Sequence, residues 1–108
     1  LVALLTTKDI GTPLWHAIGA TIKQFHQQGI YHHDLNAHNI LIDNHEKVWL
    51  IDFDRGQQRQ INPSWPQQNL TRLLRSFNKE KNKIAHFHWQ PQNWQALMKG
   101  YQRSPLLA

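Results

Sequence analysis

Residues 30–56 read IYHHDLNAHNILIDNHEKVWLIDFDRG, and the alternation of polar and apolar runs in them decides the fold. Ile40-Leu41-Ile42 and Val48-Trp49-Leu50-Ile51 are short strand-like runs, and Asp43-Asn44-His45-Glu46 between them is turn chemistry. Together they predict a β-hairpin. A hairpin returns the chain to the level at which it began. The polar residues before it, Asp34 to Asn39, are therefore expected to face those after it, beginning at Asp52.

Outward from the hairpin the pattern turns helical. Upstream, Gly11-Thr12-Pro13 is a helix start, with Thr12 expected to cap the first amides. Leu14, Ile18, Ile22 and Phe25 recur at the helical period, and Gly29 is a left-handed stop, which predicts a helix over 13–28. Residues 1–10 show no period. Downstream, 54–69 reads as loop. Leu70, Leu73, Leu74 and Phe77 predict a helix ending near Lys79, and a basic connection follows over 79–86. Pro91 opens a last helix with Trp94, Leu97, Met98 and Tyr101 on one face. Trp15, Trp49, Trp94, Leu97 and Met98 are expected in the core, and Trp65 and Trp89 are assigned there too. The fold class is α+β, mainly α, with a small β-hairpin.

The chain has 108 residues, 40% of them hydrophobic, with five Trp and four Phe. That suits one domain, or a piece of one, with a real core and excludes a disordered tail. Twelve basic against seven acidic side chains give a net charge of +5, which favours anionic partners without choosing among them. The absence of Cys excludes disulfides and thiolate metal sites. No apolar run approaches the roughly 20 residues that a membrane-spanning helix needs. The chain starts with Leu, in apolar sequence, and reads as a fragment of a longer protein.

Asp34, Asn39 and Asp52 meet the needs of phosphoryl transfer. An attacking hydroxyl needs an acceptor for its proton. A triphosphate needs Mg2+, which takes hard oxygen ligands and keeps some of its water. One carboxylate and one amide oxygen suffice from the protein. An isolated loop aspartate is more often a cap than a base, but the three residues at this spacing favour the catalytic reading.

The strings HHDLNAHN over 32–39 and DFD over 52–54 resemble the catalytic loop H-R-D-L-x-x-x-N and the metal motif D-F-G of the protein-kinase-like superfamily. Several departures argue against a regulated protein kinase. His33 replaces the Arg, Asn36 replaces the Lys that lies two after the base, Asp54 replaces the Gly, and no A-P-E follows. The runs over 30–41, 50–56 and 69–76 resemble the bacterial lipopolysaccharide kinases, most closely those acting on 3-deoxy-D-manno-octulosonic acid (Kdo). The likeness covers roughly Thr12 to Tyr101. It implies that Asp34 is the catalytic base, that Asn39 and Asp52 hold Mg2+ and hence the nucleotide, and that His32 braces the loop. Asn36 is then a hydrogen-bonding loop residue. The implied reaction is ATP-dependent phosphorylation of a Kdo hydroxyl on a lipid A precursor, at the cytoplasmic face of the bacterial inner membrane, with no nucleic-acid partner. Neither G-x-G-x-x-G nor a V-A-I-K-like lysine is present. Residues 1–108 are therefore expected to be the C-terminal catalytic lobe without the N-terminal nucleotide-covering lobe. Alone, they are expected to bind ATP feebly and turn over little.

Arg72, Arg75 and Lys79 recur at helical spacing opposite Leu70, Leu73, Leu74 and Phe77, with Lys81 and Lys83 following. This is either a solvated helix face or a patch for an anionic membrane or phosphorylated lipid. A metal site built from His32, His33, His38 and His45 with Asp34 lacks the spacing of a helical zinc motif. His86 and His88 read as surface. Three other functions compete with the first: a small-molecule kinase of the aminoglycoside-phosphotransferase type, a noncatalytic basic module for RNA or membrane, and a regulatory pseudokinase. The complete Asp34, Asn39 and Asp52 set argues against the last two.

Overall fold

In the computed structural model, residues 1–31, 35–51, 57–58 and 64–103 are described. Helix α1 (Val2–Leu5) is a single turn, buried at Leu5 and tied down by the His88 amide, which donates to the Leu5 carbonyl at 2.8 Å. Helix α2 spans Thr12–Gln27, within a residue of expectation. Its cap differs from the reading of the sequence. Gly11, at φ 83°, takes the N-cap position, and Thr12 is already the first helical residue, so its hydroxyl does not reach the leading amides. At the other end Gly29, at φ 74°, donates its amide to the His26 carbonyl at 3.0 Å.

Helix α3 covers Ser64–Lys83, starting well before Leu70 and running past Lys79. Two expectations are corrected here: 64–69 is helix rather than loop, and 79–83 is helix rather than connection. Pro66 does not delay the start, because the first-turn amides have no helical acceptor to lose. Past Lys79 the helix is secured by tertiary bonds. The Lys81 ammonium donates to the Phe87 carbonyl at 3.0 Å, and the Glu80 carboxylate is buried. Helix α4 spans Pro91–Arg103.

Helices α2 and α4 touch at the backbone. A methyl group at Gly19 would collide with the Leu97 carbonyl, and one at Gly100 with the His16 carbonyl. Beside this contact lies an aromatic core. Phe77 of α3 stacks on Trp89 at 4.3 Å between centroids, and Trp15 of α2 meets both, at 5.5 and 5.3 Å. Trp65 is buried as well, so Trp65 and Trp89 join the core as expected.

Among the described residues, two small antiparallel sheets complete the fold. Strands β2 (Ile40–Ile42) and β3 (Val48–Leu50) form the expected hairpin, in the register Ile40↔Leu50, Leu41↔Trp49 and Ile42↔Val48. Its turn is fastened by Asp43, whose Oδ1 accepts from the His45 and Lys47 amides and whose Oδ2 accepts from the Trp49 indole. Those bonds, the indole's first, hold the Asp43 carboxyl below its ordinary range. Trp49 is 47% exposed rather than in the core. Strand alternation turns Val48 inward and its neighbour outward, beside the exposed Leu41. The second sheet was not expected. Strand β1 (Ile30–Tyr31) pairs with β4 (Gln57–Gln58), inside a stretch that reads as loop.

Candidate active site

The loop between β1 and β2 is held at each described residue. Leu35 is 1% exposed and Ala37 is fully buried. Asn36, in extended conformation, caps the one-turn 3₁₀ helix Ala37–Asn39, its Oδ1 accepting from the His38 amide at 2.8 Å. This agrees with its expected role as a loop hydrogen-bonder. The Ala37 amide donates to Ser76 Oγ of α3 at 2.7 Å, which locks the loop to that helix.

Asn39 closes the loop. Its side chain is buried at 6% exposure, and its carbonyl accepts from the Ile51 amide at 2.9 Å. That bond extends the hairpin register by one pair, so Asn39 is matched to the residue immediately preceding Asp52. Tyr31, immediately before His32, pairs with Gln57, immediately after the segment 52–56. The described residues flanking the two chemistry-bearing segments are thus paired with each other at both sides. Asp34, Asp52 and His32 lie outside the described residues. The Asn39 amide oxygen is by its chemistry a hard-oxygen donor of the kind Mg2+ takes. Among the described residues, no three His, Cys, Asp or Glu side chains gather as a metal site.

A groove of about 440 Å³ opens where the loop meets α3. Asn36 and His38 form one wall; Arg72, Arg75, Ser76 and Lys79 form the other, with Glu80 and Lys83 toward the helix end. The residues at 72, 75, 79 and 83 fall on one helical stripe. Sequence spacing found three of them; the wall of Asn36 and His38 was missed, because it arises only from packing. Glu80 was missed too. Its side chain is 8% exposed and holds His38 Nε2 at 3.4 Å and Lys83 Nζ at 4.0 Å.

A second polar cluster ties the helices together. His26 is buried, with Nε2–H donating to Asn69 Oδ1 at 3.0 Å and Nδ1 accepting from the Tyr101 hydroxyl at 2.8 Å. It joins α2, α3 and α4. Burial lowers its pKa; the Asn69 bond opposes this, and Lys23 adds to the lowering. The folded chain therefore favours neutral His26, while the unfolded chain protonates it below about pH 6.5. This contribution to stability is full above that pH and is lost as pH falls through the folded-state value. His26→Gln is expected to cost about 1–2 kcal/mol at pH 7.5. It should also flatten the decline in urea-unfolding stability below pH 6.5, and an unaltered pH slope would contradict the assignment.

A family model described as lipopolysaccharide kinase (Kdo/WaaP) family matches residues 3–101. The chain is 45% identical over 102 residues to a 3-deoxy-D-manno-octulosonic acid kinase of Vibrio vulnificus, covering 94% of this chain and 42% of that protein. It is 44% identical over 105 residues to the enzyme of the same name from Mannheimia succiniciproducens, covering 94% and 43%. With that of Vibrio cholerae it shares 51% identity over 80 residues, covering 74% and 34%. The chain spans about two-fifths of the length of the first two relatives. With nearly all of its residues inside that family match, the chain belongs to the lipopolysaccharide kinase (Kdo/WaaP) family.

Proposed function

We propose that the protein is an ATP-dependent phosphotransferase acting on a hydroxyl of Kdo in a lipid A precursor, with residues 1–108 as its catalytic lobe. The observation that carries this reading is the Asn39–Ile51 backbone bond, which matches one ligand of the catalytic set to the residue next to the other. Kdo kinase relatives at 44–51% identity support the substrate.

Asp34 accepts the proton of the attacking Kdo hydroxyl and orients it. Asn39 Oδ1 and the Asp52 carboxylate would hold Mg2+, which would supply charge neutralisation to the ATP phosphates. His32 is assigned the structural role of bracing the catalytic loop against the Asp52-Phe53 backbone. Because this chain has no Gly-rich phosphate loop, the cover over the nucleotide comes from sequence outside residues 1–108. A lipid-anchored acceptor puts the reaction at the membrane surface, and the use of ATP puts it on the cytoplasmic face, where we assign the protein a peripheral place. Among the described residues no helix is long and apolar enough to cross a membrane.

The test is transfer of radiolabelled phosphate by the intact protein from γ-labelled ATP to three acceptors: a Kdo–lipid A precursor, an aminoglycoside and a protein mixture. Label is expected in the Kdo acceptor alone and only with Mg2+ present. Transfer to the aminoglycoside instead would move the protein to that branch of small-molecule kinases, and no transfer at all would remove the catalytic reading.

A further inference from the structure

Helix α3 presents Arg72, Arg75, Lys79 and Lys83 as a stripe of exposed basic side chains along the groove. Such a stripe on a convex surface would be an ordinary solvated face. Here it has an opposite wall, and that wall is the catalytic loop itself, through Asn36 and His38. Asn39 does not line the groove. Among the described residues the carboxylate that lines the groove is Glu80, and it is engaged by His38 and Lys83 rather than by Arg75 or Lys79.

From this we infer that the groove is an acceptor subsite, which grips a phosphate group already carried by the sugar acceptor while a hydroxyl of the same molecule is presented to Asp34. The inference rests on the phosphotransferase reading above and adds how the acceptor is recognised. A phosphate ester fits the geometry better than a bilayer does. The volume of about 440 Å³ holds a sugar phosphate, whereas a flat membrane would meet the rim and leave the inner wall of Asn36 and His38 untouched. Arginine and lysine together supply forked and single N–H donors to a tetrahedral oxyanion.

The experiment uses the intact protein and the double variant Arg75→Ala/Lys79→Ala, whose side chains are exposed, so folding is not at risk. First, kcat/KM is compared for a detergent-solubilised Kdo acceptor bearing its sugar phosphates and for the same acceptor after phosphatase treatment. The wild type should prefer the phosphorylated acceptor, and the double variant should lose at least about tenfold of that preference. An undiminished preference would overturn the inference. Second, binding to phosphatidylglycerol vesicles without acceptor is measured. If the variant loses vesicle binding but keeps its acceptor preference, the stripe is a membrane face and the inference is wrong. Third, glucose 1-phosphate is titrated against glucose by calorimetry, with no ATP present. The wild type should bind only the phosphate ester, and the double variant should bind it at least about tenfold more weakly. This arm separates the two failures: phosphate-ester binding without transfer to any Kdo acceptor sinks the reaction and keeps the groove, while transfer without such binding does the reverse.

Discussion

An Asp34→Asn substitution in the intact protein is expected to lower kcat by about 10²–10⁴-fold while leaving KM for ATP and for the acceptor nearly unchanged. Asparagine keeps the shape and can still orient a hydroxyl, but it cannot accept the proton. The loss therefore falls on a step made only in the transition state. The described residues that follow position 34 are anchored: Leu35 is buried, the Ala37 amide is bonded to Ser76, and Asn39 is bonded to Ile51. A purely catalytic role predicts that the substitution leaves thermal unfolding where it was. If kcat were retained and the melting temperature fell instead, Asp34 would be a loop cap and not a base.

The second large effect is structural. Gly19→Ala is expected to cost about 3 kcal/mol or more, at or beyond the upper end of ordinary overpacking. A core side chain can usually turn aside for an extra methyl. At Gly19 the obstacle is backbone, the Leu97 carbonyl and the Tyr101 amide of α4. Relief requires the two helices to separate, and the mirror contact of Gly100 with the His16 carbonyl resists that. Separation would also strain the His26–Tyr101 bond between the same helices. Against a total stability of roughly 5–15 kcal/mol, the loss is a large fraction. Equilibrium unfolding in guanidinium measures it, and a change below about 1 kcal/mol would show that the interface yields more easily than its geometry indicates.

Much of the fold was legible in the sequence, where the signals are local. The 3.6-residue spacing of Leu14, Ile18 and Ile22, and the pair of short apolar runs across Asp43–Glu46, produced a helix and a hairpin within a residue or so. What failed depends on contacts between distant residues. The first turns of α3 are polar and contain Pro66, so only their packing through Trp65 and Asn69 identifies them as helix. Strands of two residues, as in Ile30–Tyr31 against Gln57–Gln58, carry no periodicity to read. Trp49 was misassigned because size was weighed over alternation. Gly19 and Gly100 look like weak points in helices until the helix that each contacts is known.

The candidate site divides in the same way. Asn39 was singled out by its spacing to Asp34 and Asp52; the fold shows it buried, with its carbonyl bonded to the Ile51 amide. Arg72, Arg75 and Lys79 were found as a helical stripe, but only the fold shows that they face Asn36 and His38. Glu80 could not be found from the sequence, since its partner His38 lies far upstream and no local pattern joins them.

The central claim is that Asn39 and Asp52 share one metal ion beside Asp34. The most direct measurement is a crystal structure of the intact protein with Mg2+ and an ATP analogue whose β–γ bridge is nitrogen. The account predicts an octahedral ion about 2.0–2.1 Å from both Asn39 Oδ1 and an Asp52 carboxylate oxygen, with the Asp34 carboxylate opening onto the same cavity. An ion bound through other side chains, or Asp34 and Asp52 facing separate surfaces, would contradict it.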